Sequence, residues 1–167
     1  MAQQTVDLRN LPMIEDASVA ILLSKWYPEI VESMHEKCRD LLIARGAFVT
    51  SHKLPGTFEF PFAAQTLAET DIELEGIVCL SVVVKGETRH FEAIVDATTR
   101  QLVQISCEQG IVIINEILPV LDKQHAIARS QDDQFNKGIE AAVAAIEMID
   151  WYRHIEPPLN YDAVDLH

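Results

Sequence analysis

The sequence is poor in the residues that build covalent or metal-held frameworks. Its three cysteines, Cys38, Cys79 and Cys107, are odd in number and far apart, with no CxxC and no cysteine–histidine spacing. That excludes a disulfide framework and a zinc site, and leaves small core residues in a reducing compartment. His35, His52, His125, His154 and His167 share no ligand spacing, so a metal site is not expected. Only six glycines are present, and they form neither a P-loop nor a GxGxxG fingerprint. No apolar stretch is long enough to span a bilayer. The opening residues, "MAQQTVDLRNLP", lack the basic start and apolar core of a signal peptide. A cytoplasmic address is therefore expected. Cations are also scarce: 13 lysines and arginines stand against 26 acids, a formal charge of −13. Nucleic acid and anionic membranes need a basic face, so neither is an expected partner. A small anionic ligand stays open, provided that a locally basic or amide-rich pocket holds it.

What is present is a folding composition. With 167 residues, 49% hydrophobic and 23% charged, the chain suits one domain that buries roughly two-thirds of its unfolded surface. "SVAILL" from Ser18 reads as a strand buried on both faces. "EIVESMHEKCRDLLIARG" places Ile30, Val31, Met34, Cys38, Leu41 and Leu42 at helical spacing and ends on Arg45-Gly46, a helix stop. Then follow a strand in "AFVTSHKLPG", a helix in "FPFAAQTLAETD", a strand in "LEGIVCLSVVV" and a helix in "HFEAIVDATTRQLVQISCEQG". A fourth strand, "IVIINEIL", precedes two helical segments separated by "SQDDQFNKG". The order β-α-β-α-β-α-β-α-α predicts an α/β fold, a parallel sheet covered on both faces. We expect an N-terminal arm over 1–17, a domain over 18–155 and an acidic tail over 156–167.

Right-handed crossovers put all strand C-termini on one edge, where open α/β sheets bind ligands. The loops to search are those at Trp26, at Pro55-Gly56-Thr57, at Lys85 to His90 and around Asn115. Lys85-Gly86-Glu87-Thr88 is either a backbone nest for phosphate, with Gly86 free to take positive φ, or a plain turn capped by Thr88. His90 is either an acid-base group beside that nest or a structural histidine. Glu59, in "LPGTFEFP", either accepts hydrogen bonds from a polyol, beside the exposed backbone of Thr57 and Phe58, or favours a helix N-terminus. Trp26 either stacks on a planar heterocycle or fills core. Arg129 either pairs with phosphate or lies on a solvated face.

Several of these stretches together resemble the 6,7-dimethyl-8-ribityllumazine synthase family. "PGTFEFPFAAQTLAE" is similar to its PGAFE-(I/L)-P segment, and "KGETRHFE" to its RGxTxHF/Y-(D/E) segment. "HAIAR" and "NKGIEAAVAAIEM" resemble its QA-x-x-R and NKG-x-x-AA-x-A-x-x-M segments. The likeness runs in order from about Val19 to Ile149.

The resemblance implies a flavodoxin-like three-layer α/β/α sandwich with a four-stranded parallel sheet, its N-terminal arm available to add a strand to a neighbouring subunit. It implies a homopentamer with active sites between subunits. It also implies the reaction: 5-amino-6-(ribitylamino)pyrimidinedione condenses with 3,4-dihydroxy-2-butanone 4-phosphate, releasing phosphate and water, with no cofactor and no metal. By position, His90 matches the catalytic histidine. Trp26, Thr57, Phe58, Glu59, Val83 and Asn115 match the pyrimidine- and ribityl-binding positions. Gly86, Glu87, Thr88 and Arg129 match the phosphate-binding ones, and Lys137 an accessory lysine. Asn115 stands where many members carry an aromatic residue from the adjacent subunit, Pro119-Val120 where threonines are common, and Lys25-Trp26-Tyr27 where Arg-Phe-Asn is usual. "SQDDQF" replaces the Gly- and Lys-containing stretch of icosahedral members, which favours a pentamer or decamer over a sixty-subunit shell. The altered segment from Asn115 to Val120 motivates one alternative, a non-catalytic homologue that binds flavin or lumazine. A phosphoacceptor regulator is disfavoured, because no acids cluster after Leu23 or Val84.

Overall fold

The computed structural model describes residues 6–87 and 89–155. Four strands, β1 (Ser18–Ser24), β2 (Phe48–Leu54), β3 (Leu74–Val84) and β4 (Val112–Val120), form one sheet in the order β2-β1-β3-β4. Every pairing is parallel. The helices are α1 (Pro28–Ala44), α2 (Phe60–Thr70), α3 (His90–Gln109), α4 (Lys123–Ala128) and α5 (Lys137–His154), and a 3-10 turn covers Thr57–Glu59. This is the three-layer flavodoxin-like arrangement that the family resemblance implied.

Strand alternation sorts the side chains into two cores. Val19, Ile21 and Leu23 of β1 and Val78, Leu80 and Val82 of β3 face α1 and α5. Ala20 and Leu22, with Ile77 and Cys79, face α2 and α3. Both faces of β1 and β3 are therefore apolar, which is why their sequences read as continuous hydrophobic runs. The chain steps from β1 outward to β2, then back across to β3 and on to β4. Right-handed crossovers consequently put α1 on one face and α2 and α3 on the other. The reversal opens a crevice above the C-terminal ends of β1 and β3.

Two glycines let backbones meet. Gly46, at φ +95°, ends α1, and a Cβ there would strike the Glu15 carboxylate. At Gly138 a Cβ would fall 1.9 Å from the Met34 carbonyl oxygen, so α5 crosses α1 at backbone contact. Residues 6–17 lie along their own chain. Leu11, Ile14 and Ala17 are buried in the α1/α5-side core, and the Arg45 guanidinium donates to the carbonyls of Leu11 at 2.9 Å and Leu8 at 3.1 Å. From Leu11 onward, the segment expected as an arm is part of this chain's core.

Candidate active site

The crevice at the strand reversal holds a cavity of about 830 Å³, a size suited to small-molecule substrates. Its walls come from three of the four loops expected to matter. After β1, Tyr27 takes a left-handed conformation (φ 53°) and Pro28 opens α1. That turn leaves Trp26 67% exposed at the cavity wall, so it is not core. After β2, Pro55-Gly56 leads into the 3-10 turn. Thr57, Phe58 and Glu59 all line the cavity, Phe58 64% exposed and Thr57 buried. Glu59 and Trp26 close on Gly56 from two sides: a Cβ there would lie 3.1 Å from Glu59 Oε2 and 3.5 Å from Trp26 Nε1.

β3 supplies the floor. Its pairing with β1 ends at Leu80, whereas its pairing with β4 continues to Val84. From Val82 to Val84 one backbone edge therefore has no strand beside it and faces the cavity. Unpaired strand amides and carbonyls are hydrogen-bonding groups in want of partners. Val83 sits in that stretch, as expected. His90 is the first residue of α3 and lines the same cavity, with Ala93 and Ile94 one turn on.

The turn expected to hold phosphate is partly described. Gly86 and Glu87 are exposed, and Lys85 Nζ pairs with Glu92 Oε1 at 2.7 Å. Gly86 does not use positive φ, which among the described glycines belongs to Gly46 and Gly110, and the space where its Cβ would sit is empty. The freedom to take positive φ is thus not used there. Thr88 lies outside the described residues.

The remaining candidates gather elsewhere. Arg129 caps the C-terminus of α4 and Lys137 begins α5. Neither is among the residues lining the His90 cavity. They are held to each other: the Lys137 amide donates to the Arg129 carbonyl at 2.8 Å. Buried Asn136 locks this loop, accepting from Gly138 N at 2.8 Å and donating to the Gln131 carbonyl at 2.9 Å and to Ser33 Oγ at 3.2 Å. Asn115 does not sit at a strand end. β4 runs on to Val120, because an edge strand tolerates Pro119. Asn115 is instead mid-strand on the α3 side, its Nδ2 donating to Thr99 Oγ1 at 3.2 Å.

Sequence reading missed three polar groups. Ser24 and Ser81 are buried, and Ser81 donates to Ser24 at 3.1 Å while hydrogen-bonding the Thr57 hydroxyl. This hydroxyl chain ties the 3-10 turn to the ends of β1 and β3. The only signal was a serine inside "CLSVVV". Glu116 is the third. It follows Asn115 and so faces the opposite side of the sheet, toward α1 and α5, where its side chain keeps 14% exposure. Burial pushes its carboxyl up to about 7, although Lys137 and Arg129 pull the other way. Among the described residues no three His, Cys, Asp or Glu side chains gather as a metal site would require.

A family model for 6,7-dimethyl-8-ribityllumazine synthase matches residues 16–153. The chain belongs to the 6,7-dimethyl-8-ribityllumazine synthase family. It is 36% identical to 6,7-dimethyl-8-ribityllumazine synthase 1 of Caulobacter vibrioides, over 82% of this chain and 91% of that one. It is 32% identical to the 6,7-dimethyl-8-ribityllumazine synthase of Pyrococcus furiosus, over 84% and 88%. The Stenotrophomonas maltophilia enzyme of the same name is 33% identical over 81% and 88%. Relatives from bacteria and an archaeon thus carry one name over nearly full length, and the lumazine synthase match takes in both groups of candidate residues.

Proposed function

We propose that the protein is a lumazine synthase. It condenses 5-amino-6-(ribitylamino)pyrimidinedione with 3,4-dihydroxy-2-butanone 4-phosphate to 6,7-dimethyl-8-ribityllumazine, a transferase step of riboflavin biosynthesis. The observation that carries this reading is the near-full-length family match, joined to a cavity that collects Trp26, Phe58, Glu59 and His90 at the sheet's ligand edge. The relatives are named as synthases, and nothing favours the non-catalytic alternative.

The residues divide the work by their chemistry. Trp26 offers a ring face to the pyrimidine, and the open backbone edge at Val83 hydrogen-bonds its amide groups. Glu59 accepts from ribityl hydroxyls, beside the Thr57 and Phe58 backbone. The 5-amino group attacks the butanone carbonyl, and loss of one water gives an imine. The phosphate then leaves with the proton on the neighbouring carbon, the enol so formed tautomerises to a new carbonyl, and attack of the ribitylamino nitrogen on that carbonyl closes the ring with loss of a second water. Each stage moves protons between nitrogen, carbon and oxygen. An imidazole that takes and gives protons near neutral pH suits them, and the position of His90 at the cavity wall supports that role for it.

Phosphate needs cations, and the His90 cavity has few. Gly86, Glu87 and Thr88 would cradle the ester with backbone amides, while Arg129 and Lys137 lie outside that cavity in the same chain. The reading that reconciles them is assembly: Arg129, Lys137 and the exposed Asn115 of one copy complete the cavity of the next. A heterologous contact of this kind closes into a ring, here a homopentamer, with a decamer rather than a larger shell as the higher state. A cytoplasmic enzyme acting on small molecules is the setting proposed, with only the residues before Leu11 left as an arm from the expected 1–17 segment and 156–167 as a tail on the 18–155 domain.

The test mixes purified protein with both substrates and follows lumazine formation optically against the slow uncatalysed condensation. A rate clearly above that background is expected. No rate above it, with lumazine still bound, would leave a binding protein and overturn the enzyme reading.

A further inference from the structure

Glu116 is an acid among the cations that the phosphate needs. Its Oε1 is 3.9 Å from Lys137 Nζ, and Lys137 is shared with Glu140 Oε2 at 2.6 Å. Arg129 is near enough for its charge to act on the carboxyl. The groups around Glu116 are few. α1 presents Cys38, whose buried thiol is held neutral, and β3 presents Leu80 as the paired residue. α5 presents Lys137 and Glu140, and the end of α4 presents Arg129. An ionised Glu116 in this setting can be neutralised in two ways, by the two cations or by a proton.

We propose that Glu116 is a positioning residue that competes with the phosphorylated substrate for Lys137 and Arg129, so that capture of the phosphate ester takes up one proton at the Glu116 carboxyl. This rests on the lumazine synthase reading above. In the unliganded protein at alkaline pH, the carboxylate keeps Lys137 and Arg129 turned toward the sheet. When the ester binds, both cations turn to its oxygens. Glu116 would then be a buried charge beside an anion, with its cations drawn away and the like charge of Glu140 nearby. Protonation from solvent relieves that, because taking a proton is far less costly than leaving a buried carboxylate unpaired. The position of Glu116 near neutrality makes the exchange occur within the working pH range. Proton and phosphate ester therefore assist each other's binding.

The experiment measures KM for the butanone phosphate from about pH 6 to about pH 8 in the assembled protein, in wild type and in Glu116→Gln. Wild type should lose affinity as pH rises, approaching about tenfold over that range if one group titrating near neutrality is fully coupled. Glu116→Gln should keep only the slope that the ester's own ionisation imposes and bind more tightly at the alkaline end. The ester's own phosphate ionisation affects both proteins alike and cancels in their ratio. Glu116→Ala, which removes the charge without having to fit the same shape, must agree with Glu116→Gln if the latter assembles poorly. A protein making no lumazine above background would refute the enzyme reading and this inference with it. Lumazine synthesis with the wild-type pH dependence of KM retained in both variants would refute this inference alone.

Discussion

If His90 and Arg129 serve different stages of one reaction, as proposed, their losses should differ in kind. His90→Ala should lower kcat, toward the low end of the roughly 10²-fold to 10⁴-fold range of acid-base catalysis, because the two substrates condense slowly unaided. KM for the butanone phosphate should change little. Arg129→Ala should mainly raise that KM, since a charge-assisted pair to phosphate is lost. Steady-state kinetics with each substrate varied separate the two, and an unchanged KM in Arg129→Ala would refute the phosphate role. Glu116 makes a further prediction, on stability. Its carboxyl is raised from its ordinary 4.5 to about 7 by burial. Between those values the folded protein keeps a proton that the unfolded chain has lost. Stability contributed by this group is thus full below about pH 4.5, declines as pH rises through the window, and levels off above about pH 7. The whole effect is about 3 kcal/mol. Thermal midpoints at fixed protein concentration should show Glu116→Gln gaining on wild type as pH rises from about 5 to about 8.

At the scale of elements, the site depends on joints that are not themselves in the cavity. α5 meets α1 through Gly138, where a Cβ would sit 1.9 Å from the Met34 carbonyl oxygen. Gly138→Ala must force the helices apart, at a cost of roughly 1–3 kcal/mol or more. Lys137, the preceding residue, moves with that joint. The expected result is a lower thermal midpoint together with a raised KM for the phosphate ester. A variant of wild-type stability would show that the crossing is looser than described. The Asn136 lock acts similarly on the loop between α4 and α5. These joints were partly visible in the sequence. "NKG" after a polar loop signals a helix start, but nothing in it says which backbone the glycine must approach.

For the whole molecule, the separation of His90 from Arg129 and Lys137 is the feature with most consequence. If neighbouring copies complete each cavity, His90→Ala and Arg129→Ala subunits should complement one another. Co-assembly from a one-to-one mixture, by unfolding and refolding together, should restore about one site in four. Mixing without subunit exchange should restore none. A failure to recover activity in verified mixed assemblies would place both residues in the same chain's site. Sedimentation should show a pentamer or its multiple, and a stable monomer would count against the shared site.

The sequence by itself determined the layers, the strand count and most of the cavity wall. Those follow from local rules: continuous apolar runs for strands buried on both faces, helical spacing for α1, and Pro-Gly and glycine stops where the chain turns. It also placed Trp26, Phe58, Glu59 and His90 at the strand ends, because parallel strands joined by right-handed crossovers must end on one edge. Only the tertiary structure decided the rest. It extended β4 through Pro119 and so moved Asn115 from a strand end to mid-strand, since a proline's missing donor is harmless at a sheet edge. It withheld positive φ from Gly86 and gave it to Gly46, where Glu15 leaves no room for a side chain. It joined Ser24, Ser81 and Thr57 across three separate segments. It set Glu116, one acid among 26 acidic residues, against Lys137 and Arg129. Periodicity records which face of the sheet a residue takes, whereas a partner's identity depends on which distant segments pack there.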